Sequence, residues 1–239
     1  MIIRYSMIDT FLQCPTKFRM QYIEGVTEET TSSALKFGSA LHLAIKSYFE
    51  GEDPYETFNM YWNSVKSMNV KYDRYSWEDL RALAVDKFLP NFIRLHAKKF
   101  SSPKLEETVS MPILESHELQ GTFDLAGQYE GKLTLTDWKT SSKEYPYAKI
   151  IRNPQMYIYA ALYKHKYGVL PEQLMYKVFI KPEARIQTLK IDLTEEKLVH
   201  TMNNVELIIK NMISMMNNKT YYSNYNCYCL NPGVCYNDN

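Results

Sequence analysis

Two aspartates and a lysine are spaced so that they could share one site. Asp137 and Lys139 are two residues apart in a run that alternates between apolar and polar residues. In a β-strand their side chains would leave the same face, roughly 6–7 Å apart, because each residue advances the strand by about 3.3 Å. Asp124 ends the preceding run of this kind, and a neighbouring strand could bring its carboxylate alongside. We therefore expect two carboxylates and an amine to converge.

Such a group has the chemistry of a hydrolase that uses Mg²⁺ or Mn²⁺. These ions prefer oxygen ligands, keep several waters, and take substrate phosphate oxygens as further ligands. Hydrolysis of a phosphodiester needs neutralisation of the non-bridging oxygens and a water that is nucleophilic near neutral pH. A carboxylate-bound metal beside a lysine offers both. On spacing alone, the same pattern also fits a solvated ion pair on an exposed strand.

The four cysteines lie at the two ends of the chain. Cys14 is near the start, and the other three lie in a Tyr- and Asn-rich tail at 221–239 that has no hydrophobic periodicity: Cys227, Cys229 and Cys235. Four thiolates can bind a 4Fe–4S cluster or a tetrahedral zinc ion, and either would attach the tail to the first helix. The alternative is that they are free buried thiols, as is common for cytosolic cysteines.

The elements that must position these residues change in character along the chain. In the first hundred residues apolar side chains recur at three- and four-residue steps, which is typical of helices. One helix is predicted over 6–22, and a second follows Gly38 and ends at Gly51. Between 106 and 139 short runs rich in β-branched and aromatic residues alternate with polar breaks, which predicts a strand meander.

The second half of the chain predicts three more elements. Helical spacing covers 153–167, a short apolar run at 175–180 indicates a strand, and a helix is expected over about 194–216. The chain has 239 residues, of which 45% are hydrophobic, so it can bury one core and we expect a single domain over 1–239.

Composition narrows the possible partners. The formal net charge is +1, which argues against a protein that binds phosphate backbone along its whole length, so any nucleic-acid surface must be local. No run reaches the roughly 18 apolar residues that span a bilayer, and the N-terminus is too polar for a signal peptide. We therefore expect a cytoplasmic protein that does not bind membranes.

Five short motifs follow one another in a characteristic order. They are D-T-F-L-Q-C-P at 9–15 with Phe18 and Tyr22, G-S-A-L-H at 38–42, G-T-F-D at 121–124, T-D-W-K-T at 136–140 and Q-M-Y-I-Y at 155–159. In this order they resemble the motifs of RecB-like nucleases of the PD-(D/E)XK superfamily, over nearly the whole chain. The resemblance is closest to the iron–sulfur branch, which includes CRISPR-associated exonucleases and the AddAB helicase–nuclease.

The resemblance implies an α/β fold with a restriction-endonuclease-like core, in which helices flank a central mixed sheet. It also implies a helical insertion over about 40–100 that covers the active site. Asp124, Asp137 and Lys139 would be the catalytic residues, and the lysine would orient or deprotonate the attacking water.

The resemblance also implies a ligand set for the catalytic metal. The ligands would be His42, Asp124, Asp137 and the backbone carbonyl of Trp138. The family often has a glutamate on the strand before G-x-x-D, and the sequence alone leaves Glu106 and Glu107 equally open.

Two further residues would face the substrate. Gln155 and Tyr159 are four apart on one helix face, where the resemblance implies contact with the substrate strand. Ordinary core packing is the alternative for Tyr159.

For the cysteines, the resemblance favours a 4Fe–4S cluster over zinc. In the iron–sulfur branch one cysteine immediately precedes a proline, as Cys14 precedes Pro15, and three lie near the C-terminus with the spacing C-x2-C-x5-C. The tail has C-x-C-x5-C, which keeps the second gap and shortens the first.

The expected activity is cleavage of DNA, preferentially single-stranded and from an end, in recombination, repair, or phage or CRISPR DNA processing. The pattern G-x-x-x-x-G-K-[ST] does not occur, so unwinding would require a separate helicase, and a CRISPR or recombination protein is another candidate partner. Two alternatives stay open: a structure-specific or restriction-type endonuclease, and a catalytically silent, metal-stapled DNA-binding protein.

Overall fold

The computed structural model describes residues 1–26, 30–114 and 116–224. In chain order the main elements are β1 (Ile2–Arg4), α1 (Tyr5–Gln13), α2 (Pro15–Phe18), β2 (Thr31–Ser32), α3 (Ser33–Glu50), α4 (Pro54–Ser64), β3 (Val70–Lys71), α5 (Trp77–Ala82), α6 (Leu89–Leu95), β4 (Phe100–Pro112), β5 (Glu118–Tyr129), β6 (Lys132–Ser141), α7 (Tyr147–Arg152), α8 (Gln155–Tyr167), β7 (Gln173–Ile180), β8 (Arg185–Asp192) and α9 (Glu195–Asn218). Among the described residues, no helix is both long and apolar enough to cross a membrane.

A mixed sheet forms the centre of the fold. β4, β5 and β6 are an antiparallel meander, as the alternating runs between 106 and 139 predict. β6 pairs with β7 in parallel, β7 pairs with β8 antiparallel, and the short β1 pairs with β5 in parallel. β2 and β3 form a separate two-stranded sheet.

Helices cover both faces of the central sheet. On one face, which we call the first core, α1, α8 and α9 pack against alternate residues of β7 such as Tyr176 and Val178. On the other face, the second core, α3 to α6 pack against Met175 and Phe179, which occupy the alternate positions of the same strand. This alternation follows from the two-residue period of a strand that is buried on both sides.

The predicted helix over 6–22 is broken at Cys14. α1 ends at Gln13 and α2 begins at Pro15, and the backbone of Cys14 between them is extended, with φ −166°. A proline disfavours helical backbone in the residue before it, which explains the break.

The C-terminal end of α3 agrees with the sequence prediction, and its N-terminal end does not. α3 ends at Gly51, as predicted, because this glycine adopts the left-handed backbone that closes a helix. It begins at Ser33, before Gly38, because the hydroxyl of Ser32 caps the helix by accepting a hydrogen bond from the N–H of Leu35.

Candidate active site

One edge of β5 has a gap at residues 121–124. β4 pairs with the opposite edge of β5 along its length. On the gapped edge, β1 pairs with residues 118–120 and β6 pairs with residues 125–129. The four residues between them are the G-x-x-D motif, so the motif lies where β1 ends and β6 diverges from β5.

The side chain of Asp124 takes the place of the missing strand pairing. Its Oδ2 accepts a hydrogen bond from the backbone N–H of Trp138, at 2.7 Å. The carbonyl oxygen of Trp138 lies 2.9 Å from Nε2 of His42 on α3, and Nδ1 of His42 lies 3.5 Å from Oδ1 of Asp124. Helix α3 and strand β5 therefore both contact the backbone of Trp138 on β6.

The imidazole of His42 is held in its charged form by this contact. Burial acts to lower the pKa of His42, but the charge of Asp124 and the hydrogen bond to it outweigh burial and raise the pKa to about 9. A cation is thus favoured at this position, and a bound metal ion would compete with the proton for the imidazole.

A change of phase in β4 and β5 brings a third side chain, that of Glu106, to this group. Leu105 packs against the second core and Val109 lies in the first, although residues four apart in a regular strand share a face. On β5, Phe123 lies in the first core and Leu125 in the second, although residues two apart in a regular strand also share a face. Glu106 lies at the irregularity, with φ 48°, opposite the residue between Phe123 and Leu125, which is Asp124.

Ligand atoms of His42, Glu106 and Asp124 all lie within 4.8 Å of one another. Burial, followed by the negative charge of Asp124, raises the pKa of Glu106. Two carboxylates and an imidazole that are drawn together in this way form a donor set that fits a divalent cation, which would relieve their repulsion.

Glu107, the neighbour that the sequence left equally open, points away from this group. Its carboxylate accepts hydrogen bonds from Lys166 and from Tyr167 on α8. Burial acts to raise the pKa of Glu107, but these contacts lower it overall. The structure thus places Glu106 in the site and Glu107 in a surface ion pair.

Asp137, which is buried, and Lys139, which is half-buried, form an ion pair on the first-core face of β6. Nζ of Lys139 lies 3.0 Å from Oδ1 and 2.7 Å from Oδ2 of Asp137, whose residue is 2% exposed. Burial raises the pKa of Asp137, although Lys139 counteracts it. Burial acts to lower the pKa of Lys139, yet the charges of Asp137 and Asp124 raise it overall. The lysine is therefore an ammonium group suited to stabilising negative charge.

Residues 5–236 match the family model of the PD-(D/E)XK nuclease superfamily. The chain belongs to this superfamily.

Structural comparison agrees with this assignment. A candidate exonuclease from Eubacterium rectale has a similar fold, with a TM-score of 0.66 and 14% sequence identity over 100% of this chain and 88% of that one. The protein SSO0001 aligns with 85% of this chain and 86% of its own at 18% identity, but its TM-score is 0.33. No curated protein matches significantly. The predicted fold, a central mixed sheet flanked by helices, is thereby confirmed.

The PD-(D/E)XK core brings most of the predicted metal ligands into contact. His42, Asp124 and the carbonyl of Trp138 are direct neighbours, and Glu106 joins them. Asp137 lies outside the compact three-residue group, with its carboxylate bound to Lys139, although the charge of Asp124 acts on it.

The residues predicted to face the substrate lie directly beside the Asp137–Lys139 pair. Nε2 of Gln155 donates to Oδ1 of Asp137 at 3.1 Å, and it lies 3.0 Å from the hydroxyl of Tyr159. Both side chains are buried, so Tyr159 packs in the core and also joins the polar network.

Gly121 explains how α8 comes so near. A Cβ atom on this glycine would lie 2.8 Å from Cε1 of Tyr159 and 2.9 Å from Cδ1 of Leu162. The absence of a side chain at the first position of G-x-x-D therefore lets α8 rest on the gap in β5. The sequence signalled this glycine only as part of a motif.

The predicted cysteine site is described in part. Cys14 is buried, and the end of the described chain packs against it: the N–H of Asn224 lies 3.4 Å from Sγ of Cys14, and its side chain donates to the carbonyl of Gln13 at 2.9 Å. The N–H of Thr16 also donates to the carbonyl of Tyr222 at 3.3 Å. Cys227, Cys229 and Cys235 lie outside the described residues.

Proposed function

We propose that this protein is a Mg²⁺- or Mn²⁺-dependent deoxyribonuclease that degrades single-stranded DNA from an end. The observation that carries the proposal is the meeting of His42, Glu106 and Asp124 within 4.8 Å, beside the Asp137–Lys139 pair. Membership of the PD-(D/E)XK superfamily supports hydrolysis of phosphodiesters as the reaction.

In this proposal the metal is held by His42, Glu106, Asp124, Asp137 and the carbonyl of Trp138. When bound, it supplies charge neutralisation and a water acidic enough to attack near neutral pH. These residues come from α3, β4, β5 and β6, so the site is complete only when α3 is packed on the sheet.

Lys139 acts on the reacting phosphate through its ammonium group. Asp137 holds the amine in place, and Gln155 fixes Asp137 in turn from α8. A fixed cation of this kind stabilises the charge that develops on the phosphate oxygens, and it can also orient the attacking water.

A panel of labelled DNA substrates tests the proposal. Linear single strands labelled at the 5′ or the 3′ end, circular single strands and duplexes are incubated with Mg²⁺, Mn²⁺ or chelator. We expect metal-dependent loss of mononucleotides or short oligonucleotides from linear single strands. Cleavage of circles would favour the endonuclease alternative, and metal-dependent binding with no cleavage of any substrate would favour the silent DNA-binding alternative.

Lys139→Ala tests the assignment of the site within the same assay. We expect cleavage to fall at least a hundredfold, on the order of the loss seen when a transition-state donor is removed. Lys132→Ala is the matched control, because Lys132 lies on the same strand but is exposed and pairs with Asp192. Activity of Lys139→Ala within about tenfold of wild type would contradict the assignment.

We also propose that Cys14, Cys227, Cys229 and Cys235 bind a 4Fe–4S cluster, with zinc as the alternative. Cys14 is buried where α1 breaks, and Asn224, three residues before Cys227, contacts its sulfur. Four thiolates that join residues 14 and 227–235 would fasten the tail to the first helix.

Metal analysis of anaerobically purified protein tests this proposal. We expect about four irons per chain and a brown colour. Cys14→Ser should lose iron and make the segment after Tyr221 sensitive to protease, whereas Thr16→Val removes the hydroxyl contact to Ser223 and should keep iron. About one zinc and no iron would select the alternative, and neither metal would reject both.

A further inference from the structure

A protein with a net charge of +1 has to concentrate its phosphate contacts in one place if it binds DNA. Residues 143–152, which we call the basic rim, contain three exposed cations: Lys143, Lys149 and Arg152. Glu144 is the acid in this segment, and it pairs with Arg185 on β8. Within the described part of the chain, no carboxylate lies at ion-pairing distance from the three cations.

Several other lysines that reach the surface are neutralised by neighbouring glutamates. Lys99 and Lys190 share Glu130, Lys164 pairs with Glu195, and Lys210 pairs with Glu206. The basic rim therefore carries positive charge that no ion pair with a carboxylate neutralises within the described part of the chain.

The basic rim is fixed to the fold rather than loosely attached. The backbone of Tyr145 makes two hydrogen bonds with the side chain of Gln187, at 2.9 and 3.1 Å. Ile150 anchors α7 in the first core, where it is 1% exposed. Cations on a rigid support lose less conformational entropy when they bind a ligand.

The basic rim also begins beside the catalytic pair. It starts four residues after Lys139, where β6 ends. The ring of Tyr145 lies 4.1 Å from Nζ of Lys149 and is half-buried. The charges of Lys139 and Asp137 both act on the hydroxyl of Tyr145, whose pKa is raised chiefly by burial. A DNA strand that leaves the active site on this side would pass over the basic rim.

An aromatic ring lies exposed among the cations. Tyr147 is 53% exposed, and Ile151, one turn further along α7, is 40% exposed. Single exposed apolar residues are ordinary, but an aromatic ring between cations is the combination that holds single-stranded nucleic acid, whose bases stack on rings while its phosphates bind cations.

We propose that the basic rim binds the single-stranded part of the DNA substrate next to the active site, with a base stacked on Tyr147 and phosphates bound by Lys149 and Arg152. This inference rests on the proposed nuclease function and adds the path of the substrate strand to it. Paired bases are not free to stack on Tyr147, so the basic rim also gives the enzyme a preference for single strands.

Binding is measured by the anisotropy of a fluorescent single-stranded oligonucleotide in Ca²⁺, which favours binding over turnover. The double variant Lys149→Ala/Arg152→Ala should weaken affinity on the order of tenfold and reduce the slope of log affinity against log salt by about 1.4, or 0.7 per lost phosphate contact. Arg94→Ala/Lys98→Ala is the matched control. It also removes one exposed arginine and one exposed lysine. These two residues lie just before Phe100, the first residue of β4, and Glu106 of the site is about 20 Å further along that strand.

Substitutions of Tyr147 test stacking separately from charge. Tyr147→Ala should weaken binding of the single strand on the order of tenfold, whereas Tyr147→Phe should keep it within about twofold, because stacking uses the ring and not the hydroxyl. Affinity for a blunt duplex should change little in either variant. In cleavage assays the Ala variants should raise KM more than they lower kcat.

The results separate this inference from the function on which it rests. Wild-type affinity, salt slope and KM in both the double variant and Tyr147→Ala would overturn the basic rim as the substrate path, even if the protein cleaves DNA. Equal losses for single strand and duplex in Tyr147→Ala would overturn the stacking role. If the wild type binds single strands through the rim but cleaves no substrate, the rim stands and the proposed nuclease function fails.

Discussion

The amine of Lys177 and the imidazole of His96 lie 3.0 Å apart on the second-core face of the sheet. Lys177 is fully buried on β7, and its Nζ also contacts the hydroxyls of Tyr129 at 3.1 Å and Thr188 at 2.9 Å. Burial, followed by the charges of Lys99 and Lys190, lowers the pKa of Lys177 to about 7, although the charge of Glu130 opposes this.

This arrangement predicts that Lys177 contributes more to the stability of the fold as pH rises above neutrality, against the opposite contribution of His42, whose pKa is raised to about 9. Between pH 7 and the usual pKa of 10.5, the unfolded chain holds a proton on Lys177 that the folded chain has lost. The free energy of unfolding should therefore rise with pH by up to about 1.4 kcal/mol per unit from this group, and this gain is lost as pH falls through 7.

Urea unfolding at pH 7, 8 and 9 measures the effect. Lys177→Met should lower the slope of the free energy of unfolding against pH relative to wild type, because it removes this titrating group and keeps a side chain of similar length. Lys132→Met is the control, since Lys132 is exposed and pairs with Asp192. Parallel pH profiles for wild type and Lys177→Met would show that the buried amine does not titrate in this range.

His96 extends the same trend to acid pH. Burial, with the charge of Lys177, lowers the pKa of His96 to about 4 from its usual 6.5. Its contribution to stability is therefore present above pH 6.5 and lost as pH falls through 4. We expect His96→Gln to reduce acid sensitivity between pH 4 and 6, as followed by circular dichroism, and an unchanged acid midpoint would exclude His96.

Neighbouring glutamates should differ sharply in their effect on catalysis. Glu106→Gln removes a charge from the proposed metal site and should raise the Mg²⁺ or Mn²⁺ concentration for half-maximal activity by about tenfold or more. Glu107→Gln should leave metal dependence unchanged, because Glu107 contacts Lys166 and Tyr167 instead. Metal titrations of cleavage compare the two variants, and equal behaviour would remove Glu106 from the site.

His42→Ala should also raise the metal requirement, because it removes the imidazole that we propose as a ligand and leaves the carboxylates in place. His165→Ala is a suitable control, since His165 is exposed near the end of α8. Calorimetric titration with Mn²⁺ measures affinity without turnover. An unchanged affinity in His42→Ala would mean that this histidine only ties α3 to Trp138 and Asp124.

Alanine at two glycines should act in opposite directions. Gly121→Ala would push on Tyr159 and Leu162, which costs about 1–3 kcal/mol of stability and should lower activity by displacing the network that holds Asp137. Gly38→Ala should stabilise α3 by up to about 1 kcal/mol, since its Cβ would lie at an ordinary 3.6 Å from Thr140. Thermal unfolding of both variants, with cleavage rates for Gly121→Ala, provides the comparison. A stabilised, fully active Gly121→Ala would contradict the close packing of α8.

Elements with a strong local pattern were predictable from the sequence, and elements without one were not. The meander between 106 and 139 was expected because its residues alternate over three successive strands. β1 has three residues, too few for a period to show, and most residues of β8 are half-buried, which blurs the contrast between its faces. Both strands form because β5 and β7 offer them hydrogen-bonding partners.

The choice between Glu106 and Glu107 shows where sequence reasoning stops. Alternation predicts that neighbouring residues point to opposite faces, but it does not say which face meets the site. In this chain the alternation of side chains between the two faces of β4 shifts at Glu106 itself, which has a positive φ. An alternation extrapolated from one side of Glu106 therefore assigns residues on the other side to the wrong face. Tertiary packing decided that Glu106 meets His42 and Asp124.

By itself the sequence determined the chemistry of the candidate site: carboxylates, a lysine and a histidine in motifs whose order and spacing indicate a metal-dependent nuclease. The placement of Asp137 and Lys139 on one strand face follows from a local repeat, so it too could be foreseen. The contact between His42 and Trp138 joins residues 96 apart, and the gap in β5 exists because β1 and β6 share one edge. Such contacts depend on how distant elements pack, which only the tertiary structure decided.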